Sequence, residues 1–194
     1  DYYKLLEEKP ICVGLSVMTG PQIKFSIELA DIARTHAIPT VFGGAHPSIL
    51  PEQTKMDKRV DYVVVGEGEI AMRKLVEALN NQTHIDPIVC AERVDLNTLT
   101  LLPYELIDVE KYVHTSAIEG RSLPVLFSRG CPFACTFCCN PVITKRRWRT
   151  MDPDRAISQL FELVSKYNLD SVIFWDENMT VNPKVLNKFA SSIN

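Results

Sequence analysis

Three short apolar runs, each closed by glycine and each followed by a helical pattern, set what this chain can become. Residues 11–17 are mostly apolar and end at Thr19-Gly20-Pro21. Ile38 to Phe42 stops at Gly43-Gly44, and Val60 to Val65 stops at Gly66-Glu67-Gly68-Glu69. Short apolar runs bounded by turn residues read as buried strands. Pro21 suits the first turn of a helix, where its missing N–H is not needed. That helix is expected to reach about Thr35, with Ile23, Ile27 and Ala30 on one side and Phe25, Leu29 and Ile32 on another, both sides covered. A short helix or turn is expected over Pro47 to about Lys55, and a further helix runs to Leu79. The resulting order, β-α-β-α-β-α, implies parallel strands with helical crossovers.

In such a sheet, ligands gather at the carboxyl ends of the strands. The candidates there are Ser16, Met18, Thr19 and Gly20 after the first strand. Gly43, Gly44 and His46 follow the second, and Gly66, Glu67 and Gly68 follow the third. His46 admits three readings: a metal ligand, a hydrogen-bond donor to a ligand, or a turn residue. Gly66-x-Gly68-x-x-Ala71 has the form of a dinucleotide fingerprint. However, Glu67 and Glu69 put negative charge where a pyrophosphate would lie. A tight turn, or close backbone approach to another ligand, suits these glycines better.

Asn80-Asn81-Gln82-Thr83 breaks the pattern. The stretch to about residue 122, rich in Pro, Asp, Asn and Thr, reads as an ordered connector with little regular structure, and its length favours a domain boundary. Leu123 to Ser128 is the next strand. Asp152-Pro153 is a strong helix start, with Asp as N-cap and Pro in the first position. Ile157, Leu160, Phe161 and Val164 form the expected buried face, and Asn168 ends the helix. Ser171 to Trp175 is another strand, ending at Asp176-Glu177-Asn178. Pro183 begins a helix that the end of the chain cuts at Asn194. The opening Asp-Tyr-Tyr-Lys has neither a Met start nor a signal peptide, and the chain reads as part of a longer protein.

The strand at Leu123 leads to Gly130-Cys131-Pro132-Phe133-Ala134-Cys135-Thr136-Phe137-Cys138-Cys139. Four of the chain's 6 cysteines crowd here, so they are not spread as a disulfide framework. Without a secretory signal they favour a metal site in a reducing compartment. Cys12 and Cys90, each in an apolar run, read as small buried hydrophobes. Structural zinc takes four protein ligands, commonly as two pairs. Here the second pair is missing, and Cys139 points differently from its neighbour. Three thiolates at Cys131, Cys135 and Cys138 instead suit an iron–sulfur cluster with one iron left open. The basic run Lys145-Arg146-Arg147-Trp148-Arg149 reads as a solvated loop. With a net charge of −3, the chain has no general attraction to nucleic acid or anionic membranes. No apolar run approaches the ~20 residues that span a bilayer.

Two resemblances account for these motifs. Residues 11–79, with Ser16-x-Met18 after one strand and Gly43-Gly44 after the next, look like the later part of a cobalamin-binding Rossmann-like domain. The family's Asp-x-His-x-x-Gly motif is not in this chain. Cys131-x3-Cys135-x2-Cys138, with Phe137 before the third cysteine, closely resembles the radical SAM superfamily. Together they resemble the cobalamin-binding-domain-containing radical SAM enzymes. The resemblance implies an α/β protein, with a partial cobalamin-binding domain over residues 1–82, a connector over 83–122, and the start of a partial (β/α) barrel over 123–194. It implies three cofactors: a 4Fe-4S cluster on Cys131, Cys135 and Cys138, S-adenosyl-L-methionine (SAM), and cobalamin. Phe137 would lie near the adenine, and Asp176 and Glu177 would hold the SAM amino group. An electron passed to the sulfonium would break its S–C5′ bond and start radical chemistry on a small-molecule substrate, by methyl transfer or rearrangement. The implied electron donor is a reductase, flavodoxin or ferredoxin, and the implied compartment is the cytoplasm. These residues alone are expected to be a poor catalyst. Three rival readings remain: a radical SAM enzyme whose first domain is a relic, a non-catalytic iron–sulfur or zinc module, and a nucleotide-binding protein using Gly66-Glu67-Gly68.

Overall fold

A computed structural model describes residues 2–100, 102–116 and 120–193. The chain divides into two compact units, Asp1–Val94 and Asp95–Asn194. The second unit therefore begins well inside the expected connector.

The first unit is built on four parallel strands in the order β1-β2-β3-β4: β1 Val13–Ser16, β2 Thr40–Gly43, β3 Tyr62–Val65 and β4 Ile88–Cys90. β1 and β4 are its edges. The helices are α1 Tyr2–Glu7, α2 Pro21–Thr35, α3 Ala45–Ile49, α4 Pro51–Met56 and α5 Gly68–Asn80. α2 starts at Pro21, as expected from its ring. β4 is a difference from the sequence reading. It lies in the expected connector, pairs in register with β3 from Val63↔Ile88 to Val65↔Cys90, and is only three residues long. So short a run leaves no period to read. Alternation across the sheet sends Val17, Phe42 and Val63 toward Ala30 of α2 on one face, and Val41 and Val64 toward Ala71 and Leu75 of α5 on the other. The second side of α2 is covered only in part: Ile32 packs against Leu6 and Ile38, while Phe25 is 58% exposed. Cys90 is exposed as well, on an edge strand, and does not join the core.

In the second unit, β5 His114–Ser116 pairs antiparallel with β6 Gly120–Val125, and β6 pairs parallel with β9 Ser171–Phe174. The crossover from β6 to β9 carries α7 Pro153–Tyr167, so the β-α-β order expected at the start of a barrel is present. β6 opens at Gly120 and closes at Val125, earlier at both ends than the apolar run suggested. Two-residue strands β7 Ser128–Arg129 and β8 Arg149–Thr150 pair antiparallel, with α6 Asn140–Thr144 between them. Helix α8 covers Pro183–Ile193.

Asp152 caps α7, its Oδ1 accepting from the N–H groups of Asp154 (3.0 Å) and Arg155 (3.3 Å). Phe161 lies outside the buried face, half exposed, while Ala156, Ile157, Leu160 and Leu163 are buried with Phe127 and Phe189. Phe161 follows Leu160 by one position and sits about 100° round the helix from it, so both cannot face the same sheet.

Candidate functional site

The first unit holds a cavity of about 840 Å³ on the α5 face of its sheet. Its floor comes from strand positions with little or no side chain: Gly14 and Ser16 on β1, and Gly43 on β2. These residues are neighbours in register, Gly14↔Val41 and Ser16↔Gly43. Val41 and Val64 supply apolar floor, and Gly44, Gly66 and Gly68 open the rim. The far wall is one side of α5: Glu69, Met72, Arg73 and Val76. A Cβ at Gly14 would stand 3.5 Å from the Met72 methyl carbon, an ordinary contact across the cavity.

The turns around this cavity are pinned to one another. The Val17 N–H donates to Gly43 O (2.8 Å) and the His46 N–H to Val17 O (2.9 Å). Ser48 Oγ donates to Gly44 O (2.6 Å) and accepts from the Gly66 N–H (2.9 Å), joining the second turn to the third. Gly44 needs glycine on two counts. Its φ is +92°, and a Cβ would lie 2.9 Å from Val17 N and 3.0 Å from Ser16 Oγ.

Of the residues expected in a ligand site here, Ser16, Gly43, Gly44, Gly66 and Gly68 line the one cavity. Met18, Thr19, Gly20 and Glu67 do not. Met18 is 61% exposed, and its N–H donates to Gln22 Oε1. Glu67 accepts from the Val94 N–H at 3.4 Å. His46 borders a separate, smaller hollow with Phe42 and Val60, and its Nδ1 is 3.0 Å from Thr19 Oγ1. The α5 wall and Ser48 were missed from sequence. Residues 69, 72, 73 and 76 are spaced i, i+3, i+4, i+7 after a glycine turn, and that spacing was the available signal.

In the second unit the cysteine loop hangs between β7 and β8. Cys131 and Cys138 are half buried and Cys135 and Cys139 are exposed. The Cys138 N–H donates to Cys135 O at 3.1 Å, a turn that holds two of the cysteines together in the backbone. Among the described residues no three His, Cys, Asp or Glu side chains are gathered to hold one metal ion. Phe137 is 92% exposed. The basic run is not wholly solvated: Lys145, Arg146 and Arg147 are exposed, but Trp148 is half buried and donates from Nε1 to Asn178 O (2.8 Å). Asp176 and Glu177 turn back to backbone N–H groups of the strand that delivers the loop. Asp176 Oδ1 accepts from Phe127 N (3.2 Å) and from both N and Oγ of Ser128, and Glu177 Oε2 accepts from Gly130 N (3.0 Å). Among the described residues no helix is long and apolar enough to cross a membrane.

Residues 4–76, which contain the cavity, match the B12 binding domain family. An uncharacterized methyltransferase of Pyrococcus horikoshii is 28% identical over 95% of this chain and 43% of its own length. The anaerobic magnesium-protoporphyrin IX monomethyl ester cyclase of Synechocystis is 30% identical over 79% of this chain and 33% of its own. The chain thus spans less than half the length of these relatives. The structure of the radical S-adenosylmethionine methyltransferase TsrM from Kitasatospora setae, with cobalamin and a [4Fe-4S] cluster bound, shares the fold. Its TM-score is 0.74 at 17% identity, over 99% of this chain and 42% of that one. The parallel sheet with its glycine-floored cavity thus lies in residues that match the B12 binding domain family, and over most of its length the chain is similar to methyltransferase and cyclase relatives that carry further sequence of their own.

Proposed function

We propose that the chain supplies the cobalamin site and the cluster loop of a radical SAM methyltransferase acting on an unactivated centre of a small molecule. The observation that carries this reading is the cavity. It lies inside the residues that match the B12 binding domain, and its volume of about 840 Å³ suits a large part of a corrinoid. The bare floor at Gly14, Ser16 and Gly43 lets a bulky ligand reach the sheet. The turns at Gly44 and Gly66 present backbone where polar ligand groups could meet it. Bound there, cobalamin would supply a methyl carrier.

The donor set of the second unit fits an iron–sulfur cluster in its chemistry: three thiols at C-x3-C-x2-C spacing on one loop, with Cys139 set beside the third. Cys131, Cys135 and Cys138 would hold it, and the loop would have to draw them together. Such a cluster supplies an electron for the reductive cleavage of SAM. Phe137, with its ring exposed, would cover the adenine. The substrate, and an electron donor of the reductase, flavodoxin or ferredoxin kind, belong to the same proposal, as does a reducing, cytoplasmic setting.

Anaerobic reconstitution with iron, sulfide and hydroxocobalamin tests it. The expected product retains a corrin absorbance after desalting and gives a reduced-cluster paramagnetic signal that changes when SAM is added. A retained cluster without corrin would make the first domain a relic. A signal indifferent to SAM would reduce the second unit to a non-catalytic iron–sulfur module. Transfer of label from methyl-labelled SAM to product separates methylation from ring closure, the reaction named for the Synechocystis relative.

A further inference from the structure

Asp176-Glu177-Asn178 leaves the carboxyl end of β9, and all three residues hold the arms of the cysteine loop. The strand pairing explains why they can. β9 runs parallel to β6 in register to Val125↔Phe174, and the Trp175 N–H donates to Val125 O (2.9 Å). The chain beyond β6 then crosses the end of β9. On the entering arm, Asp176 receives the N–H groups of Phe127 and Ser128 and the Ser128 hydroxyl, while Glu177 receives the N–H of Gly130, the residue before Cys131. On the returning arm, Asn178 O receives the Trp148 indole N–H. The two arms are also tied to each other, by the β7–β8 pair and by Arg146 Nε donating to Pro132 O (3.1 Å). Ser128 is only 2% exposed, so its N–H and hydroxyl have no recourse to bulk water.

The geometry points to Asp176 and Glu177 as positioning residues that form a neck for the cysteine loop, in place of contacts to the SAM amino group. The inference rests on the proposed cluster but makes its own demand. A neck needs acceptor oxygens and draws only part of its strength from their charge, whereas a contact to an ammonium group needs the negative charge. Asn and Gln keep an acceptor oxygen and remove the charge. Ala removes both.

Two double variants of the chain decide the matter, D176N/E177Q and D176A/E177A. Three readouts are needed: alkylation of Cys131, Cys135 and Cys138 in the metal-free protein, iron retained after reconstitution, and the reduced-cluster signal with and without SAM. The amide pair is expected to stay within about twofold of the parent protein in alkylation and iron and to keep the response to SAM, because its acceptor oxygens remain. The alanine pair is expected to alkylate about fivefold faster or more, as a loop deprived of its hydrogen bonds opens more often, and to lose most of its iron. An amide pair that keeps iron but no longer responds to SAM would overturn the inference, because charge would then be what matters. An alanine pair with unchanged alkylation and iron would overturn it too. If D176A/E177A does not fold, W148F removes one donor from the other arm without touching a carboxylate. Faster alkylation is expected there, and an unchanged rate counts against the neck. Failure of the parent protein to take up a cluster would defeat the proposed function and not this inference, since the alkylation comparison needs no metal.

Discussion

The two units make their sites in opposite ways. The first makes a hole by leaving side chains out. Gly14, Ser16 and Gly43 fall side by side on one face of a sheet whose backbone is already fixed by pairing. The second displays thiol side chains on an irregular loop, and among the described residues no three metal-binding side chains are gathered. A site of the first kind is ready before its ligand arrives. In the second kind the ligand completes the geometry and only the attachment of the loop is prepared. The difference teaches where mutations should act: through sterics in the first unit and through loop order in the second.

The largest effects should come from the two glycines at which the contrast is sharpest. Gly130 has φ +89°, and a Cβ there would run into the Arg147 carbonyl oxygen, so no flexible group can yield. Gly130→Ala is expected to abolish iron retention while corrin absorbance persists. Gly44→Ala, at φ +92° and against Val17 N, should cost about 1–3 kcal/mol of strain, seen as a lower Tm, together with lost corrin. If G130A kept its iron, the loop would not depend on its neck-side backbone.

Next in size is Gly43→Leu. A Cβ at Gly43 makes only ordinary contacts, 3.8 Å to Val64 O and 3.9 Å to Val64 Cβ, so the strand should tolerate it and the rest of the side chain should fill the cavity. The expected outcome is a nearly unchanged Tm with corrin retention reduced at least about tenfold, the equivalent of ~1.4 kcal/mol. Unchanged retention would put the corrinoid elsewhere.

A smaller effect is expected at Asp152→Ala, which removes the cap from α7 and should lower stability by about 1 kcal/mol in urea unfolding. Smallest is an acid effect in the first unit. Asp57 is held below the usual carboxylate range chiefly by the Arg59 side chain, whose Nε and Nη2 stand 2.9 and 2.8 Å from its two oxygens. A lowered folded-state pKa means that stability is present above the ordinary carboxylate range and is lost as pH falls through the folded value. Asp57→Asn should therefore flatten the low-pH limb of the stability curve slightly. An identical limb would assign that loss to other carboxylates.

Much of this was legible in the residues, and the failures have physical causes. Pro21, Asp152-Pro153 and the glycine-ended apolar runs marked starts and stops because each carries a local conformational rule. Gly43 and Gly44 could be singled out for the same reason, and both line the cavity. β4 was missed because three residues, Ile88, Val89 and Cys90, hold no period, and only their pairing with β3 makes them a strand. The α5 wall was missed because helical spacing does not say which face stays uncovered. Asp176 and Glu177 were recognised as important acids at a strand end. That they turn toward Phe127, Ser128 and Gly130 depends on contacts across more than forty-five residues of chain, which no local pattern encodes.

Met72 gives the cavity a vulnerability of its own. Its thioether stands in the wall opposite Gly14, half buried against Val41, Val64 and Leu75 but bordering the cavity. Oxidation to the sulfoxide would place a strong dipole and an added oxygen in the wall of the cavity proposed for the corrinoid. Exposure to air would then damage the first unit as well as any iron in the second. Restoring iron and sulfide would not repair that damage, but methionine sulfoxide reductase would.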